Sequence, residues 1–154
     1  MNIEKTKSLL FIWIMVVGTI FAFAQTPERA VIDPGWQKFW KPFQISARMR
    51  QKPMLKSYLS RNFVYSRTPS KEKGDPRDLA FAYWASPDVY GWEEIGKCVS
   101  LGWAKSEQYT KQFGKPARVA PASAVDDPGY TGYRLVFLQQ KDKSWRCVLF
   151  LKKK

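Results

Sequence analysis

Histidine is absent from all 154 residues, and this decides most of the chemistry open to the chain. Ser-His-Asp triads, Cys-His dyads and histidine general bases are excluded, as are metal sites built on imidazole. Carboxylates, Lys, Tyr and Cys remain. Glu93 and Glu94 are adjacent, and on a helix neighbouring side chains point about 100° apart, so they do not converge as an acid–base pair. They suit a solvated face near a helix start. Asp126 and Asp127 run into Pro128-Gly129, which is turn chemistry. Two carboxylates also fall short of the six or more oxygens that calcium takes. No glycine-rich phosphate loop, nucleophile elbow or zinc-ligand spacing occurs. The sequence therefore implies no catalytic residues, no cofactor and no metal.

Cys98 and Cys147 are the only cysteines. An isolated pair in an oxidising compartment is most simply one disulfide, and that is the expectation here. Two buried free thiols or a reactive cysteine are the competing readings. Neither residue has a Cys-x-x-Cys context, and no imidazole is present to activate a thiolate.

Two groups of residues could bind rather than react. Trp36, Phe39, Trp40 and Phe43 recur at helical spacing and form an apolar stripe that suits either a core or a pocket wall. Trp36, Trp40, Tyr83, Trp84, Tyr133 and Trp145 are the candidate lining of a pocket for a small apolar ligand. The second group is basic. Between Asp33 and Glu72 there is no acidic residue, whereas Lys38, Lys41, Arg48, Arg50, Lys52 and Lys56 fall in that tract. Solvated surfaces usually intersperse the two signs, so these six residues are a candidate polyanion patch.

The elements that must position these residues are partly legible. Asp33-Pro34 opens a helix with an acceptor at the N-cap and proline in the first turn. Pro42 interrupts that helix and predicts a kink near 38–41. Pro53 starts a second short helix, and Phe63-Val64-Tyr65 reads as a strand. Residues 66–75 form a polar loop. Asp75-Pro76 opens a further helix, and Ser86-Pro87 another that carries Trp92, Ile95 and Val99 and stops at Gly102. Residues 105–128 hold three prolines and no steady period, and suit one or two irregular edge strands. Tyr133 to Gln139 and Trp145 to Leu151 are β-rich runs around a charged turn, the pattern of a hairpin. Helices first and strands last indicate an α+β domain, with N-terminal helices packed on a curved antiparallel sheet and a C-terminal β-hairpin.

The first residues supply an address. Lys5 and Lys7 precede an uncharged apolar run, Leu9 to Ala24, ending in Ala22-Phe23-Ala24, the layout of a secretory signal peptide cut after Ala24. An uncleaved membrane anchor is the alternative. Residues 1–24 are thus expected to be a signal peptide and 25–154 one domain, secreted or periplasmic. The chain carries 26 Lys plus Arg against 13 Asp plus Glu, a net charge of +13 that favours polyanions but does not bear on fold.

Two stretches, GWQKFWKPFQISARMRQKPMLKSYL and YRLVFLQQKDKSWRCVLFLKKK, resemble the opening helices and closing hairpin of bacterial nuclear-transport-factor-2-like proteins, many of them exported and of unknown function. The resemblance implies a curved sheet wrapped by helices around a cone-shaped pocket. Family members include dehydratases and isomerases with pocket Asp and His, and many non-catalytic binders. This chain has no His, so catalysis is not carried over. The leading expectation is an exported, non-catalytic binding domain whose partner is an anionic envelope component or other polyanion. A pocket protein for a small apolar ligand, and an enzyme using carboxylate or tyrosine chemistry, are the alternatives.

Overall fold

The computed structural model describes residues 33–66 and 73–152, so the expected signal peptide and most of the 66–75 loop lie outside the described residues. The order is α1 (Pro34–Arg48), α2 (Lys52–Tyr58), β1 (Leu59–Tyr65), α3 (Pro76–Trp84), α4 (Gly91–Ser100), β2 (Ala104–Lys105), α5 (Glu107–Phe113), β3 (Ala117–Ala120), a 3-10 turn at Ala122–Ala124, β4 (Tyr133–Gln139) and β5 (Trp145–Lys152). The strands form one sheet in the order β1-β5-β4-β3-β2. The described residues form an α+β fold.

Local rules account for the helix starts. Asp33 accepts the Trp36 amide at 3.1 Å and Pro34 occupies the first turn. Asp75 does the same for α3, accepting the Arg77 amide at 2.9 Å. An N-cap acceptor satisfies one of the amides that a first helical turn leaves without a partner. Helix α1 runs through Pro42 to Arg48 despite the missing donor. Its apolar face holds it there, because Trp36, Phe39, Phe43 and Ala47 are all buried in the main core.

Four expectations need correction. The sheet is mixed, because β1 pairs parallel to β5 while the other pairings are antiparallel. Helix α4 starts at Gly91, not at Ser86-Pro87, because Tyr90 adopts a left-handed backbone (φ 52°) that ends the preceding turn. Only glycine fits after it, since a Cβ at Gly91 would lie 2.3 Å from Trp84 Cδ1. The stretch 105–128 contains a helix, α5, capped by Ser106. Finally, Cys98 and Cys147 are buried free thiols and form no disulfide. Cys98, on α4, donates to Tyr133 O of β4 at 3.3 Å, whereas Cys147 of β5 donates along its own strand to Leu149 O at 3.6 Å. The helix packs over β4, so its thiol engages that strand's backbone rather than the neighbouring strand's sulfur.

Apolar clusters lie on both faces of the sheet. The main core joins α1, α3 and α4 to the inner face through Phe137, Leu135, Trp145, Cys147 and Phe150. A smaller cluster on the other face packs Ala117, Val119, Val136 and Leu138 against Tyr109 and Phe113 of α5. Strand β3 therefore alternates, with Ala117 and Val119 outward to α5 and Arg118 and Ala120 toward α1.

Candidate functional site

The six candidate pocket residues divide into two groups inside one packed core. Trp36 and Trp145 are 1% and 2% exposed and meet edge to face at 4.9 Å. Trp40 stacks on Trp36 at 5.4 Å. The second group is Tyr83, Trp84 and Tyr133. Trp84 meets Trp92 at 5.3 Å and Phe150 at 5.3 Å, and Tyr133 stacks on Phe150 at 4.9 Å. Phe137 lies under the first group, edge-on to Trp36, Phe39, Trp40 and Phe43 at 5.1–5.8 Å. Such contacts add to area burial and favour a filled core.

One charged residue sits in this core, and its sequence context gave no sign of it. Arg118 is 4% exposed and faces the first tryptophan group. Its guanidinium carbon lies 4.2 Å from the Trp103 ring centroid, 4.7 Å from that of Trp36 and 5.1 Å from that of Trp145. Nη2 donates to Asp33 Oδ2 at 3.3 Å. Asp33 thus serves α1 as its cap through Oδ1 and Arg118 as its counter-ion through Oδ2. Burial pushes the Arg118 pKa down from its ordinary value, and the charge of Asp33 opposes that shift. Among the described residues, Nε and Nη1 of Arg118 have no hydrogen-bond partner, nor do the indole nitrogens of Trp36 and Trp145. Buried donors are ordinarily satisfied, and these four are exceptions.

The candidate polyanion patch is only partly free. Arg50 pairs with Glu93 at 2.6 Å, and Lys56 with Asp78 at 2.6 Å and Asp75 at 3.5 Å. Acids from α3 and α4 thus fold back onto the acid-free tract. Lys38, Lys41, Arg48 and Lys52 are exposed and form no ion pair among the described residues. Lys38, Lys41, Ile45 and Arg48 follow at steps of three and four, which places them on one outward stripe of α1. Ile45 is 46% exposed and Met49, just beyond the helix, 67%.

The carboxylates singled out in the sequence are engaged separately. Glu93 binds Arg50 and Glu94 binds Lys97, both at 2.6 Å. Asp126 accepts from the Ser106 hydroxyl and from the amides of Glu107 and Gln108, holding the start of α5. These bonds, that of Ser106 first, lower its pKa. Asp127 closes a turn through the Gly129 amide at 2.7 Å.

No protein-family model matches the chain, and no curated protein does. Among solved structures, the chain is similar to a Shewanella frigidimarina NCIMB 400 protein described provisionally as a ketosteroid isomerase. The identity is 12%, the TM-score 0.38, and the match covers 79% of this chain and 96% of that one.

Proposed function

We propose that this chain is an exported, non-catalytic binding domain that engages an anionic component of the cell envelope through the outer stripe of α1. The observation that carries this reading is the alignment of Lys38, Lys41 and Arg48 on one exposed helix face without acidic partners among the described residues, with Lys52 just past its end. Exposed Ile45 and Met49 beside these cations supply apolar contact of the kind an interfacial helix uses. The helices-on-sheet arrangement accords with the nuclear-transport-factor-2-like resemblance of the terminal stretches. A pocket for a small apolar ligand has less support, because the rings that would line it pack against one another. Acid–base catalysis has less still, because Glu93, Glu94 and Asp126 are each committed to a separate structural contact.

The test compares three charge variants for binding to anionic vesicles and to heparin. Neutralising Lys38, Lys41, Arg48 and Lys52 together should weaken binding most and flatten its salt dependence. Neutralising Arg50 and Lys56, already paired, should cost much less. A variant losing Lys143, Lys152, Lys153 and Lys154 controls for net charge. Equal losses in the first and third variants mean that binding follows net charge alone, and the reading fails. Screening sets the scale, since attraction to a surface decays over about 8 Å at physiological salt.

A further inference from the structure

A groove of about 500 Å³, open to solvent, lies between the C-terminal end of α1 and helix α4. That volume falls within the range of ligand clefts, about 300–1,000 Å³. Gln44 Nε2 donates to Val99 O at 2.8 Å and ties the two helices together. The charges along the groove nearly cancel. Arg50 is paired with Glu93 and Lys97 with Glu94, each at 2.6 Å. Arg48 is the lining cation without an ion pair among the described residues. Gly96 lines the groove as well. Glycine is the poorest helix former after proline, so one inside a helix usually has a packing or a functional reason. Packing does not supply it here, since a Cβ at Gly96 would meet nothing within 4 Å. Large apolar side chains are also exposed at this end of the molecule. Ile45 lies one turn before Arg48, Met49 follows it, and Leu101, itself part of the lining, is 64% exposed.

We propose that this groove seats the phosphodiester headgroup of a singly charged phospholipid at a membrane surface, with Met49 and Leu101 entering the acyl boundary. The proposal rests on the reading of the α1 stripe given above and names its anionic component. Charge selects the headgroup. One free guanidinium matches one phosphodiester charge, and its planar fork suits phosphate oxygens. A site for a polyanion would instead gather several free cations. The space left open at Gly96 gives the phosphate room beside Arg48. The exposed apolar side chains select a membrane over a free headgroup. Beside an anion in water they gain nothing, whereas at the interface of a bilayer they are removed from water.

The test partitions the full-length protein onto phosphatidylglycerol vesicles, onto phosphatidylcholine vesicles and onto heparin. Every variant keeps the full chain, so whatever residues 1–32 add is common to all. The unaltered protein should favour phosphatidylglycerol. Gly96→Gln fills the groove with a neutral, helix-favouring side chain. It should lower partitioning onto phosphatidylglycerol roughly fivefold, the worth of one basic contact at a membrane, and leave heparin binding unchanged. Leu101→Gln should lower that partitioning roughly tenfold, again without effect on heparin. Thermal midpoints equal to or above that of the unaltered protein are expected for Gly96→Ala and Gly96→Gln, because both place a better helix former in open space. A lowered midpoint in Gly96→Ala would mean that the position is packed, and the groove would be no site. Equal partitioning onto phosphatidylcholine, or no loss on phosphatidylglycerol in either groove variant, would also overturn the proposal. If the four-residue α1 charge variant still loses affinity in that last case, the stripe reading survives while the groove falls. Full displacement by equimolar glycerophosphoglycerol, the headgroup without its chains, would point to a soluble phosphodiester and overturn the membrane assignment.

Discussion

The thiols of Cys98 and Cys147 lie deep in the core, and burial keeps both protonated. It pushes Cys98 up to about 12 and raises Cys147 well above the ordinary range. The thiolate is the nucleophile, so at pH 8 Cys98 is held in its unreactive thiol form. We expect iodoacetamide to modify neither residue in the native protein at that pH, and both in guanidinium without reductant. Failure to label the denatured chain would mean a disulfide that the structure does not contain. Arg118 teaches a different lesson. Its flanking Ala117 and Val119 look like the core side of a strand, which would put the arginine in solvent. The reverse happens because α5 covers the outer face and takes those two residues. Helix α5 is short, with Tyr109 and Phe113 as its main apolar pair, so its pattern is too brief to read. The arginine was hidden for the same reason. The tryptophans around it were legible as a group, since helical spacing marks Trp36 and Trp40, but spacing does not distinguish a packed core from a pocket wall.

Helix starts are the most legible elements because their chemistry is local. Asp33-Pro34 and Asp75-Pro76 each combine a cap acceptor with a pre-set φ, and both open helices. The start of α4 could not be read the same way, since it depends on Tyr90 in a left-handed conformation and on Trp84 lying against Gly91. The α3 cap also makes a testable statement about pH. The Arg77 side chain, and then its amide, hold the Asp75 carboxyl well below the usual carboxylate range, with Lys56 adding attraction. A depressed folded-state pKa stabilises the domain above the unfolded value, near 4, and that stabilisation is lost as pH falls through and below it. Asp75→Asn retains the cap but not the charge. It should lower stability at neutral pH and make the acid limb below about pH 4 shallower in urea titrations. Asp75→Ala should cost about 1 kcal/mol more, for the lost cap. An unchanged acid limb in Asp75→Asn would show that this carboxylate does not contribute to acid unfolding.

At the scale of the molecule, a net charge of +13 sets self-repulsion against a few exposed ion pairs. Arg50–Glu93 and Lys97–Glu94 are solvated on at least one side, and such pairs contribute little. Repulsion spread over the whole surface therefore outweighs them, and salt screens it. We expect the thermal midpoint to rise as sodium chloride goes from about 10 to 150 mM, the range over which the screening length shrinks most usefully. A falling midpoint would show that attractive pairs dominate.

The parallel seam between β1 and β5 carries a consequence for when the protein can fold. Leu59 and Cys147 lie roughly ninety positions apart and yet share a register, and β5 fills the place between β1 and β4. A nascent chain emerging from the ribosome can form α1, α2 and α3 early, but β1 has no strand to join until the hairpin has been synthesised. Contacts of such long sequence separation pay their loop entropy before they gain anything, so assembly is slow and comes late. During that interval the helices formed first lack the strands that bury their apolar faces. The strand order that completes the sheet also sets the delay before it closes.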